Sequence, residues 1–397
     1  MSRGSGNKFH KFTLTAPIAA AILLFLAARG WQAVPPATLT LERPDFGYGA
    51  NVADLKNAPR LREIGFQWMK GFVAWEGIEP KPGEYDWTDL SKATVTARRN
   101  GLGLLLRVDR VPAWARPDNP DPTAPPARPF LTSWRDFLKE LARRGKGHVA
   151  AYEIWNEPNL SWEWGGGPPD PDYYVEMLRA AYLGIKEGDP AALVIAAGLA
   201  PTLGDGGRQA VDNLLYLQMM YENGAAPYFD ILGSHPYGFA SPPEADPRMT
   251  ASFRSAELER EVMLEHGDGA KPVWATEAGW LLDPGAVGLA GCREAPAVQE
   301  SLWQAVDQEA QARYLVEAYR YAYETWPWMG AIFLFNLDFS LAPWYPNPCE
   351  PMTFYSLLGP DGQPRAGFVA LGEMGKPGTR NKEQGTRNEE RGKRKEK

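Results

Sequence analysis

Residues 151–164 read AYEIWNEPNLSWEW. The apolar start suits a buried strand. That strand runs straight into Asn156, Glu157 and Pro158, and then into a loop carrying Trp162 and Trp164. Short apolar runs of this kind recur along the chain, at Asp45–Asn51, Phe66–Phe72, Leu102–Val108, Val149–Trp155, Leu193–Gly198, Phe229–Ser234, Val273–Thr276 and Ala331–Phe335. Stretches of helical period lie between them. Val175, Leu178, Tyr182 and Ile185 are spaced as one helix face, with Asp170 placed to cap it and Pro171 in its first turn. Ala312, Leu315, Tyr319 and Ala322 form another stripe within Gln308–Glu324. Eight strands alternating with helices predict an α/β fold, a single (β/α)8 TIM barrel with loop insertions at its C-terminal face. A doubly wound open sheet is the alternative. No Gly-rich phosphate loop follows the first strand, which weighs against it.

A barrel gathers its functional groups at the C-terminal ends of its strands. Polar residues do cluster there: Lys70 on strand two, Arg107 and Asp109 on strand three, Asn156 and Glu157 on strand four. SHPY brings His235 and Tyr237 at strand six, VWATEAGW brings Glu277 at strand seven, and Asn336 and Asp338 follow strand eight. Side chains alternate along a strand. Residues 153, 155 and 157 therefore share a face, as do 273, 275 and 277, which turns Glu157 and Glu277 toward the barrel axis. Two inward carboxylates across a cavity are what cleavage of a glycosidic bond needs, with no metal and no cofactor. The chain has only four His, none paired at i, i+4, and neither HExxH nor GxSxG occurs. A lone rim histidine such as His235 reads as a positioning group. Glu153, deeper on strand four, is expected to pair with Arg107. Glu76, Glu79 and Glu84 are expected to be solvated. Trp162, Trp164, Trp280 and Trp344 are candidates for stacking on a sugar.

The stretch EIWNEPN, with TEAGW on a later strand and HPY between, resembles the glycoside hydrolases of clan A. WEGIEPKPGEYDW at residues 75–87 and the long WNEPNLSWEW loop look most like family 39 xylosidase-type enzymes and family 5-like cellulases. The resemblance covers most of residues 45–370. It implies a retaining glycosidase acting by double displacement on a plant- or microbe-type β-glycan or oligosaccharide. Glu157 would be the general acid/base and Glu277 the nucleophile. Asn156 would bond the sugar 2-hydroxyl, and Tyr237 and His235 would hold Glu277. Two departures fall where the sugar would bind. Lys70 stands where the clan often has Arg, and FLFNLDF ends strand eight where many members carry a Trp platform, leaving Trp344 in the following loop. The alternative function is a catalytically idle barrel that only binds glycans.

Composition fits this reading. Apolar residues make up 44% and charged residues 23%, a balance that supports a large core. Net charge is −7 with no basic stripe in the body, which excludes nucleic acid as a partner. Arg3, Lys8 and Lys11 precede the uncharged run 12–28, which contains TLTAPIAAAILLFLAA. That pattern predicts export, through either a cleaved secretory signal or a retained membrane anchor. The organisation expected is signal or anchor plus linker over 1–40, barrel over 41–374, and a disordered charged tail over 375–397, where GTRNKEQ and GTRNEER nearly repeat. Cys292 and Cys349 follow strands seven and eight, so their loops are neighbours and a disulfide is expected, a free pair being the alternative.

Overall fold

The computed structural model describes residues 46–374; the apolar run 12–28 and the charged tail lie outside them. Eight parallel strands close into a barrel in sequence order. They are β1 (Gly47–Asn51), β2 (Trp68–Ala74), β3 (Gly103–Asp109), β4 (Ala151–Ile154), β5 (Leu193–Ala196), β6 (Ile231–Ser234), β7 (Val273–Ala278) and β8 (Met329–Leu334). The ring closes where β1 pairs with β8, Gly49 opposite Phe333. The main helix after each strand is, in order, α1 (Ala58–Glu63), α2 (Thr88–Arg99), α3 (Leu131–Gly145), α4 (Pro171–Gly188), α5 (Asn213–Glu222), α6 (Ser255–Glu265), α7 (Gln308–Thr325) and α8 (Ala366–Met374). The arrangement is the (β/α)8 barrel expected from the sequence. Asp170 caps α4, accepting from Tyr173 N at 3.0 Å, with Pro171 in the first turn.

Alternation along the strands divides the core. Outward residues such as Leu104, Leu106, Ile154, Val194 and Ile332 pack under the helices. Inward residues Leu105, Ala151, Ile195, Ile231, Trp274, Ala331 and Phe333 fill the lower barrel. Above that plug the inward positions turn polar. A filled base and a polar mouth leave the C-terminal end as the place where chemistry fits.

Most strand boundaries shift by one or two residues from the sequence reading, two of them for visible local reasons. β4 stops at Ile154 because Trp155 takes a left-handed conformation, φ 79°, which a ladder cannot continue. β2 begins at Trp68, since Phe66 is still tied to the end of α1, its N–H donating to Leu61 O at 2.9 Å. Cys292 and Cys349 form a disulfide, Cα atoms 4.9 Å apart, joining the loop after β7 to the loop after β8. Among the described residues no helix is long and apolar enough to cross a membrane.

Candidate active site

The route by which Glu157 and Glu277 reach the axis is not simple alternation. On β7 the inward residue is Trp274, while Val273 and Ala275 pack outward under the helices. An irregularity in the β7–β8 register between Ala275 and Ala278 brings Glu277 round to the mouth. On β4, Glu153 points inward but Trp155 packs outward against Trp134 and Trp164. Positive φ at Trp155 and at Glu157 (38°) then redirects the chain. All four non-glycine residues with positive φ among the described residues, Arg110, Trp155, Glu157 and Phe239, lie in loops after strands on this face. Strained backbone of this kind collects where a side chain must be aimed.

One imidazole ties the two carboxylates together. His235 Nδ1 stands 2.8 Å from Glu157 Oε1 and 3.9 Å from Glu277 Oε2. The two oxygens can be no farther apart than the sum of those distances. Burial alone would lower the His235 pKa, but Glu277, Glu153 and Glu157 outweigh it and raise it to about 9. The imidazolium therefore donates to Glu157. The expectation that His235 holds Glu277 is met by charge alone, at 3.9 Å; its hydrogen bond goes to Glu157. Tyr237 bonds Glu277, its hydroxyl donating to Oε2 at 2.7 Å.

The other oxygen of Glu277 faces cations. Oε1 lies 3.4 Å from Lys70 Nζ and 3.4 Å from Arg107 Nη1. Burial would push the Glu277 carboxyl up, yet His235, Lys70 and Arg107, with the Tyr237 hydroxyl, hold it below the usual carboxylate range. Arg107 also donates to Asn156 Oδ1 at 2.8 Å and to Asp109 Oδ2 at 3.0 Å. Asn156 lines the cleft, and its amide nitrogen donates to no described residue.

Lys70 does not reach the cleft. It is wholly buried beneath it, 2.6 Å from Glu153 Oε2, and donates to Thr276 O at 3.2 Å. Lys70 as a substrate-binding residue is therefore corrected to a buried counter-ion. Glu153 pairs with Lys70 rather than with Arg107, because Arg107 reaches up to the rim carboxylates instead. Trp280 is corrected too. It is 1% exposed, lies against Phe253 and Tyr314, and donates to Ser241 O at 2.8 Å. Trp164 is buried in the same way. Glu79 is buried rather than solvated, accepting from Trp75 Nε1 and Gly83 N.

Above the carboxylates lies a cavity of about 740 Å³. Asn156, Glu157, Tyr237 and Glu277 line it, together with the half-exposed Trp162 and Trp344. Sequence reading missed much of its wall. Phe335, Phe339, Tyr345 and Tyr355 form an aromatic side. Arg107 and Asp109, visible as a strand end, belong to the site directly. Glu163 also lines it; burial pushes its carboxyl up to about 7, with Arg107 opposing and Glu157 and Asp109 adding to the rise. Among the described residues no group of three or more His, Cys, Asp or Glu is arranged to hold a metal ion.

Residues 52–126 match the Glyco_hydro_42 family, described as beta-galactosidase. No curated protein matches the chain. Among solved structures, a family 39 glycoside hydrolase from Bacteroides cellulosilyticus WH2 superposes with TM-score 0.61 at 20% identity, over 82% of this chain and 62% of that one. A glucosidase from Croceicoccus marinus gives 0.57 at 18%, over 82% and 66%. A monomeric beta-xylosidase from Caulobacter crescentus CB15 gives 0.55 at 17%, over 83% and 67%. The chain has the fold of the clan A glycoside hydrolases. It spans less than two thirds of the length of the first two of these structures. The family match ends before β4, so the residues around Glu157 and Glu277 rest on their own geometry.

Proposed function

We propose that this protein is a retaining glycoside hydrolase that cleaves the O-glycosidic bonds of a β-glycan or oligosaccharide by double displacement. The single observation that carries the proposal is the His235 ring nitrogen lying within reach of both carboxylates. The 2.8 Å and 3.9 Å contacts limit the separation of those two oxygens to at most their sum, near the lower end of the roughly 6.5–9.5 Å gap that inverting enzymes use to admit a water, which favours the closer spacing of a retaining pair. The names of the similar structures, a family 39 glycoside hydrolase, a glucosidase and a beta-xylosidase, support the reaction class.

Glu277, held ionised by its cations, attacks the anomeric carbon. Glu157 gives its proton to the departing oxygen, and the leaving alcohol departs as the glycosyl ester forms on Glu277. Glu157 then takes a proton from water, whose oxygen attacks the same carbon and frees the Glu277 carboxylate. The Asn156 amide is placed to donate to the sugar 2-hydroxyl. Tyr237 keeps Glu277 oriented. His235, charged up to about pH 9, orients Glu157 through the Nδ1–H bond. Work outside the cytoplasm is part of the proposal, supported by the basic start before run 12–28 and by the Cys292–Cys349 disulfide.

Turnover of a panel of aryl glycosides by Glu157→Ala and Glu277→Ala tests this. Glu277→Ala should lose nearly all activity. Glu157→Ala should keep turnover on the most acidic leaving groups, with azide accelerating its second step. Equal loss in both variants whatever the leaving group contradicts the assignment. Glycan binding by the intact protein without any hydrolysis would favour the idle barrel. Mass spectrometry of the native N-terminus, with fractionation, tests the compartment: a soluble cytoplasmic protein contradicts it.

A further inference from the structure

Among the described residues three tryptophans are more than a third exposed: Trp303 at 64%, Trp162 at 56% and Trp344 at 50%. All three stand in loops at the C-terminal face. Trp162 follows β4 and Trp344 follows β8, strands on opposite sides of the closed ring. Both line the cleft. Trp303 does not. It sits in the loop after β7, in the short turn Leu302–Gln304, and lies flat on Phe239 with ring centroids 5.4 Å apart and planes 16° off parallel. Phe239 itself lines the cleft. The stacked pair therefore continues the cleft wall outward, beyond the carboxylates, on the β6–β7 side.

The surroundings hold this pair in place. Phe239 is kept at φ 52°, a conformation an aromatic residue adopts only under constraint. The constraint is visible. Gly238 N donates to Gly279 O, and Trp280 Nε1 closes the same turn by bonding Ser241 O. A Cβ on Gly238 would fall 1.8 Å from the Trp280 ring, so the turn and the indole are packed as one unit. Buried Trp280 thus fixes the turn that presents Phe239. Polar groups accompany the rings. Gln304 lines the cleft, its side-chain oxygen accepting from the Tyr355 hydroxyl at 3.2 Å, which leaves the amide nitrogen to donate elsewhere. The Trp303 indole N–H donates to no described residue. A flat apolar face beside free donors suits a sugar ring, whose axial C–H groups stack while its hydroxyls accept.

Resting on the glycosidase reading above, we propose that Trp303 and Phe239, with Gln304, form an outer subsite. It binds a further unit of a β-linked oligosaccharide whose reacting sugar sits at Glu157 and Glu277. The substrate is then a chain several units long rather than a simple glycoside.

The test is a ladder of β-linked xylo-, cello-, manno- and galacto-oligosaccharides, two to six units long. Binding is measured by calorimetry on the full chain carrying Glu277→Ala, with and without Trp303→Ala or Trp303→Phe. Affinity should tighten with length for one ladder. Trp303→Ala should remove about tenfold of that tightening at the longest chains and leave the disaccharide unchanged, while Trp303→Phe keeps most of it. In the otherwise intact protein, Trp303→Ala should leave turnover of aryl glycosides unaltered. Equal affinity with and without Trp303 at every length overturns the subsite, as does equal loss at every length or no binding by any ladder. Absence of hydrolysis by the intact protein would remove the catalytic reading alone, since the ladder still decides the subsite by binding.

Discussion

Replacing Lys70 by Met tests the buried charge network most sharply. Lys70 and Glu153 are both fully buried, 2.6 Å apart, with Glu277 at 3.4 Å. Removing only the cation leaves Glu153 with no counter-charge nearer than His235 at 3.7 Å and takes one of three cations from Glu277. Breaking a buried pair from one side costs roughly 3–5 kcal/mol, a large share of the roughly 5–15 kcal/mol that holds a domain folded. The pH response follows from the sign of the shifts. Glu153 and Glu277 are both held below the ordinary carboxylate range, so they contribute stability above that range and lose it as pH falls through their folded values. Without Lys70 those values rise, and acid unfolding should begin at higher pH. Urea unfolding from pH 4 to 8 reads both effects. Lys70→Met with Glu153→Leu should recover most of the loss, because replacing both ends of a buried pair by apolar groups is close to neutral. A Lys70→Met protein as stable as its parent with an unmoved acid edge would refute the reasoning, and so would strictly additive losses in the double variant.

Three further outcomes are expected. Burial pushes the Glu259 carboxyl up to about 7, against the hydrogen bonds from Ser234 and Asn213. The folded state then binds the extra proton, so stability should fall as pH rises from about 4.5 to 7, and Glu259→Gln should flatten that slope in urea titrations. Cys292→Ser with Cys349→Ser should cost up to about 4 kcal/mol by the loop-entropy account, and titration of the denatured, unreduced parent should find no free thiol. Gly238→Ala should lower the melting temperature by displacing Trp280, a cost of about 1–3 kcal/mol, and an unchanged midpoint would show that the contact is loose.

The barrel was legible because alternation of strand and helix is written in local periodicity, and because polar residues crowd the strand ends. Glu157 and Glu277 do both line the cavity at the mouth, yet the alternation that predicts this holds only in part. Strict alternation would send Glu277 the way of Val273 and Ala275, under the helices; a register irregularity that no periodicity signals turns it inward. Lys70 and Trp280 were placed in the cleft because their positions along the strands are right. Their depth depends on which neighbours stand above them, and that is a property of the closed ring. Glu163 and Trp303 escaped notice since each lies in a short turn whose placement is set by contacts from other loops, Trp303 by Phe239 across the β6–β7 rim. The cysteine pair was readable from topology alone: loops after adjacent strands are neighbours.

The central claim is the two-carboxylate double displacement, and the anomer released first reports on it directly. Proton NMR of an aryl β-glycoside undergoing hydrolysis, recorded before mutarotation, should show the β-sugar appearing first, because attack by Glu277 and then by water inverts the anomeric carbon twice. An α-sugar as the first-formed product would mean a single displacement by water and would contradict the assignment of Glu277 as nucleophile.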